Sequence, residues 1–173
     1  MAKNIILVGF MGTGKSAAGR IVATRLKRDF VDMDAIIEDR TGKKISEIFA
    51  DEGEAHFRGL ERELTKELSA REDLVIATGG GIVLNPDNIE DFSKTGVVIC
   101  LHADPDVILQ RVAKDTHRPL LEGDDDKIKA IRDLLAKRQK LYDAIPLKID
   151  TNNHTARDTA EEVLALYLGQ TTF

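Results

Sequence analysis

The sequence predicts an α/β fold, a mostly parallel sheet with helices packed on both of its faces. Three observations predict it. Strand-like and helix-like hydrophobic patterns alternate along the 173 residues with few long gaps, as βαβ units require. The apolar run over residues 5–8 leads directly into Gly9-Phe10-Met11-Gly12-Thr13-Gly14-Lys15-Ser16, which fits G-x-x-x-x-G-K-[ST]. Strand, glycine loop and helix together make that match a phosphate-binding loop. The third observation concerns the strand ends. Strands one, two and three close on this loop, on Asp32-Met33-Asp34 and on Thr78-Gly79-Gly80-Gly81. Ligands of open parallel sheets bind beyond the carboxyl ends of the strands, so three unusual segments share one functional edge.

In chain order, strands are expected over 4–8, 29–33, 73–78, 96–101 and 147–150. Helices are expected over about 15–28, 34–41, 45–51, 53–70, 87–94, 104–114, 126–143 and 156–168. The glycines of the first loop let backbone N–H groups turn inward around an anion, Lys15 adds a mobile positive charge, and Ser16 offers a hydroxyl to Mg²⁺. The helix that follows takes its face from Ala18, Ile21, Val22, Arg25 and Leu26. After strand two, Asp32 and Asp34 are two residues apart, so an extended segment would aim both carboxylates to one side. One of them can hold Mg²⁺, directly or through its water, while the other accepts a substrate hydroxyl. Asp34 could instead cap the next helix; its place at the functional edge favours the first reading.

Arg58 lies beside the Phe57, Leu60, Leu64, Leu68 stripe, where a surface pair with Glu61 is the simplest account of it. Three consecutive glycines, 79–81, have no side chains to offer, so their use is close backbone approach or unusual dihedrals. The segment 115–126 joins two helices without periodicity, and a loop of that kind in a compact domain is usually functional or disordered. Within it, Arg118 either folds over a nucleotide or stays in solvent, and the acidic run 124–126 suits a helix N-terminus better than a metal site. Farther on, Ile131, Leu134, Leu135, Arg138, Leu141 and Tyr142 form one stripe, which places Arg138 on the core-facing side. A buried guanidinium needs an anionic partner, either an internal acid or a bound carboxylate.

The totals narrow the classes. A hydrophobic share of 42% and a charged share of 32% suit a single soluble domain with a real core. No run is long enough for a membrane span, and no secretory signal precedes the first strand. The single Cys100 can form no internal disulfide and reads as a core residue in a reducing compartment, so a cytoplasmic protein is expected. A net charge of −5 argues against a protein that coats nucleic acid, but not against anionic small substrates. Histidines 56, 102, 117 and 154 show no metal-ligand spacing.

Together these residues resemble the shikimate kinase family. The match rests on residues 9–16, Asp32-Met33-Asp34, Phe57-Arg58-Gly59-Leu60-Glu61, Thr78 with the three glycines, Arg118-Pro119-Leu120-Leu121, Arg138 to Tyr142, and Asp150-Thr151-Asn152. The resemblance implies a three-layer α/β/α phosphate-loop kinase fold of nucleoside-monophosphate-kinase type. It would have a five-stranded parallel sheet, one domain with a substrate-binding subdomain over about 33–61, and a lid over about 112–125. It implies transfer of the γ-phosphoryl group of ATP to the 3-hydroxyl of shikimate, in aromatic amino-acid biosynthesis. By the same likeness Gly12, Thr13, Gly14, Lys15, Ser16, Ala17, Arg111 and Arg118 would bind ATP, with Arg111 stacking on adenine. Asp34, Arg58, Gly79, Gly80, Gly81 and Arg138 would bind shikimate. Lys15, Asp34 and Arg118 would be catalytic, and Ser16 and Asp32 would hold Mg²⁺. A monomer acting without nucleic acid or membrane is expected.

After Asn152 the chain departs from the family pattern: Asn153-His154-Thr155-Ala156 stands where arginine and proline often lie beside adenine. Two rivals remain. A gluconate kinase-like enzyme shares the first part of the pattern, but Arg58, Arg138 and the triple glycine favour a cyclic hydroxy-carboxylate. A non-catalytic nucleotide switch would carry an N-K-x-D motif, which is absent, and the D-x-x-G match at Asp39 to Gly42 falls at a helix end.

Overall fold

The structure is a computed structural model that describes residues 3–114 and 127–171. Five strands, β1 (Asn4–Val8), β2 (Asp29–Asp32), β3 (Leu74–Ala77), β4 (Gly96–His102) and β5 (Leu147–Asp150), lie side by side in the order β2-β3-β1-β4-β5. Every pairing in it is parallel, and Ile5 of the central strand stands opposite Val75 on one side and Val97 on the other. From β1 the chain passes to β2 at one edge, returns through β3 beside β1, and then crosses to β4 and β5 on the other side. The crevice at the carboxyl end of β1 is therefore the switch point at which such sheets bind ligands.

Each face of the sheet is covered. Successive strand side chains point to opposite faces. Ile5 and Leu7 accordingly pack with Val22 and Ala23 of α1 (Lys15–Leu26) and with Ala160, Val163 and Tyr167 of α8 (Ala156–Thr171). Ile6 and Val8 face the other layer, built from α2 (Met33–Thr41), α3 (Ile45–Glu52), α4 (Glu54–Ser69), α5 (Pro86–Thr95), α6 (Pro105–Val112) and α7 (Lys127–Asp143). A strand buried on both faces reads as a continuous apolar run, which is why residues 4–8 show no alternation.

The expected elements are present, with ends shifted by one to three residues. Lys27, in the left-handed region at φ 55°, stops α1 before its predicted end. Asn85 accepts a bond from the Asp87 N–H at 3.0 Å and Pro86 opens α5, a start the pattern placed one residue late. A single 3₁₀ turn at Ile82–Leu84, joining the triple glycine to α5, was not foreseen; three residues are too few to show a period. Cys100 is buried in β4, and burial, partly opposed by Lys15, pushes its thiol up to about 11. Among the described residues no helix is long and apolar enough to cross a membrane.

Candidate active site

The phosphate loop forms as its sequence demands. Gly14 takes φ 96°, a left-handed conformation costly for a side-chain-bearing residue, and serves as N-cap of α1. The loop is tied inward by Thr13, whose hydroxyl donates to Phe10 O at 2.8 Å. Lys15 is buried, and its Nζ donates to Gly9 O at 2.7 Å and Phe10 O at 2.9 Å, which holds the ammonium across the loop. Ala17 is exposed in the first turn of α1. Arg111, from α6, donates to Gly12 O at 3.2 Å and Thr151 Oγ1 at 3.0 Å, and also bonds Thr151 O. It thereby clamps the loop to the end of β5.

Beside the loop, Ser16 Oγ donates to Asp32 Oδ2 at 2.8 Å. The other oxygen, Asp32 Oδ1, accepts the Ala35 N–H at 3.2 Å and caps α2. Here the expected geometry needs correction. Asp32 and Asp34 do not share an extended segment, because β2 ends at Asp32 and Asp34 sits in the first turn of α2. The capping role considered for Asp34 belongs to Asp32. Asp34 is turned instead toward the triple glycine.

That glycine run is the hub of the site. A Cβ built on Gly79 would lie 2.9 Å from both Asp34 Oδ1 and Glu61 Oε2. On Gly81 it would strike both Nη atoms of Arg58 at 2.4 Å. On Gly80 it would stand 3.6 Å from Arg138 Nη1, 3.4 Å from the Met11 N and 3.7 Å from Gly9 O. None of the three has a positive φ, so unusual dihedrals do not explain the run; close approach explains Gly79 and Gly81, while a Cβ on Gly80 would make only ordinary contacts. The phosphate loop and four charged side chains thus converge on one three-residue stretch. Thr78 anchors its start, with N and Oγ1 each donating to Leu7 O at 3.1 Å.

The two arginines are held differently. Arg58 Nη1 donates to Glu61 Oε1 at 2.8 Å, and Nη2 pairs with Glu54 at 3.2 Å. Burial disfavours its charge, but the Glu61 and Glu54 carboxylates outweigh burial and hold its pKa above the ordinary value. Glu61 is only 1% exposed; burial raises its pKa, Arg58 opposes that, and Asp34 adds to it. Arg138 is buried on α7 as its stripe predicted, with Cζ 5.9 Å from the Phe10 ring. Direct ion pairs join Arg58 to acids; among the described residues Arg138 forms none, and the internal salt bridge considered for it is not found there.

Glu61 and Tyr142 were not singled out for the site from the sequence. Glu61 falls on the buried side of α4 with Phe57, Leu64 and Leu68, whereas Leu60 is only partly buried. A charged residue at a core-facing position was the signal that marked Arg138, and it marks Glu61 equally. Arg118, the acidic run 124–126 and most of the expected lid lie outside the described residues.

A family model described as shikimate kinase matches residues 11–167. A curated shikimate kinase of Pelotomaculum thermopropionicum is 48% identical over 164 residues, covering 94% of each chain. Among solved structures, a shikimate kinase from Acinetobacter baumannii in complex with shikimate superposes with a TM-score of 0.93 at 40% identity, over 100% of this chain and 97% of that one. A gluconokinase from Sinorhizobium meliloti shares the fold at a TM-score of 0.62, over 97% of this chain and 93% of that one, but at only 16% identity. With full-length likeness in sequence and in structure, the chain belongs to the shikimate kinase family.

Proposed function

We propose that this chain transfers the γ-phosphoryl group of ATP to the 3-hydroxyl of shikimate, as a step of aromatic amino-acid biosynthesis in the cytoplasm. The observation that carries the reading is the triple glycine, where the phosphate loop meets Asp34, Arg58 and Arg138. A nucleotide seated in residues 9–16 faces an acceptor pocket with two carboxylates, Asp34 and the Arg58-paired Glu61, and two guanidiniums. That set fits a hydroxylated ring bearing a carboxylate, since planar guanidiniums bind carboxylates bidentately.

In this reading Arg58 and Arg138 clamp the shikimate carboxylate while the bare edge of Gly79, Gly80 and Gly81 lets the ring approach. Asp34 accepts the hydroxyl proton. Phosphoryl transfer needs mainly alignment and charge neutralisation, so a weakly basic aspartate is sufficient. Lys15 leaves its contacts with Gly9 O and Phe10 O to meet the outer phosphates, and Arg118 joins it there. Arg111, pinned edge-on by Gly12 and Thr151, offers its face to adenine.

Ser16 and Asp32 fit a divalent ion: both present hard oxygens, 2.8 Å apart. Among the described residues no group of three or more His, Cys, Asp or Glu could hold a metal. Mg²⁺ would therefore take its remaining ligands from phosphate and water, Ser16 directly and Asp32 through a water. When bound, it neutralises charge on the β- and γ-phosphates.

We further assign one kinase domain acting as a monomer, with an acceptor subdomain over about 33–61 and a lid over about 112–125. The test is ADP release with shikimate, and separately with gluconate, as acceptor. Turnover of shikimate alone supports the proposal; turnover of gluconate and not shikimate overturns it.

A further inference from the structure

We propose that Tyr142 is a positioning residue of the acceptor site, its hydroxyl holding the Gly80 carbonyl so that the Gly81 N–H and the neighbouring Arg138 guanidinium meet the substrate carboxylate in one fixed arrangement. This rests on the acceptor reading above. Tyr142 lies one helical turn beyond Arg138 on α7, on the same buried face. Its hydroxyl donates to Gly80 O at 2.5 Å, across 62 residues of sequence. A phenol has one proton to give, and here it goes to the Gly80 oxygen.

The bond runs from Tyr142 O–H to Gly80 O, and Arg138 Nη1 lies 3.6 Å from where a Cβ on Gly80 would stand. Burial is the main reason that the phenol is pushed up to about 12, partly opposed by Arg138, so the proton stays in place across the working pH range. The peptide joining Gly80 to Gly81 is planar and trans, so fixing the Gly80 oxygen also fixes where the Gly81 N–H points. Gly80 in turn touches the phosphate loop at Met11 N.

Packing alone does not hold the ring. A cavity of about 200 Å³, lined by Phe10, Thr13, Leu135, Gln139 and Tyr142 among others, lies beside it. With open space along one side, the hydroxyl bond to Gly80 adds to packing in determining where the tyrosine sits.

Tyr142→Phe keeps the ring and removes only the hydroxyl. Steady-state kinetics would be measured with shikimate and with its methyl ester, which masks the carboxylate, alongside the melting temperature. The expected result is a rise of about tenfold in KM for shikimate, as for loss of one buried hydrogen bond. Changes in kcat and in KM for ATP stay within about twofold, and the preference for acid over ester shrinks by the same factor. An unchanged KM for shikimate, an equal loss on acid and ester, or a parallel drift of every parameter would overturn the proposal.

Should the Phe variant not fold, fluorotyrosine can replace the chain's two tyrosines, 142 and 167, changing the phenol's acidity without deleting it. A shift in shikimate KM with ATP KM constant then supports the role, and no shift overturns it. Wild-type protein that fails to turn over shikimate would instead remove the underlying functional reading.

Discussion

The two halves of the site are built on opposite principles. The phosphate side is built on one contiguous loop, tied together by bonds among residues 9–16. The acceptor side is drawn from α2, α4, the turn after β3 and α7, and its parts meet only through folding. A contiguous loop tolerates change around it, because its geometry is local. An assembled pocket depends on each element's placement, so its weak points are the contacts between elements.

That contrast can be broken in order of expected effect. Lys15→Met removes the one charged side chain of the loop at residues 9–16 and should lower kcat by about 10³-fold or more in the ADP-release assay, with the fold unchanged. A mild loss would mean that the loop's backbone carries the charge stabilisation. On the acceptor side, Gly81→Ala drives a methyl to 2.4 Å from both Arg58 nitrogens. It should raise shikimate KM by about 10²-fold and cost about 1–3 kcal/mol of stability in denaturant titration. Gly80→Ala meets its neighbours at 3.4 Å and beyond, so its stability should stay within about 0.5 kcal/mol of the wild type. Equal losses from the two substitutions would show that the close-approach account is wrong.

Glu61→Gln gives the most discriminating effect. The folded Glu61 carboxyl has a raised pKa, chiefly through burial, so its contribution to stability is full below its unfolded value of 4.5. That contribution is lost as pH rises through the folded value. Glutamine resembles the protonated form, so the variant should lack this pH-dependent loss and be no less stable than wild type at neutral pH. Arg58 meanwhile loses a charged partner, and shikimate KM should rise about tenfold. Thermal melts across pH, paired with kinetics, check both halves of the statement.

The same contrast explains what could be read from the chain. The phosphate loop was legible because spacing within eight residues determines it. The sheet was legible because two-sided burial leaves apolar runs bounded by turn residues. Arg138 was legible because its helix face is periodic, and Glu61 carried the same mark but was assigned to the surface. What could not be read was any contact across elements: Asp32 rather than Asp34 capping α2, or Tyr142 reaching Gly80. Those depend on where helices dock on the sheet, and no local pattern encodes that distance. The triple glycine lay between the cases, since its oddity was visible but its reason, four charged side chains crowding three Cα atoms, needed the fold.

The central claim is that nucleotide and acceptor meet at the triple glycine. It is tested most directly by nuclear relaxation of shikimate protons with Mn²⁺ in place of Mg²⁺. With wild-type protein, Mn²⁺ and a non-hydrolysable ATP analogue, the ring protons should relax strongly, the effect disappearing on adding excess Mg²⁺ or with Gly81→Ala. Bound shikimate whose ring protons are indifferent to the metal would place the two sites apart and contradict the account.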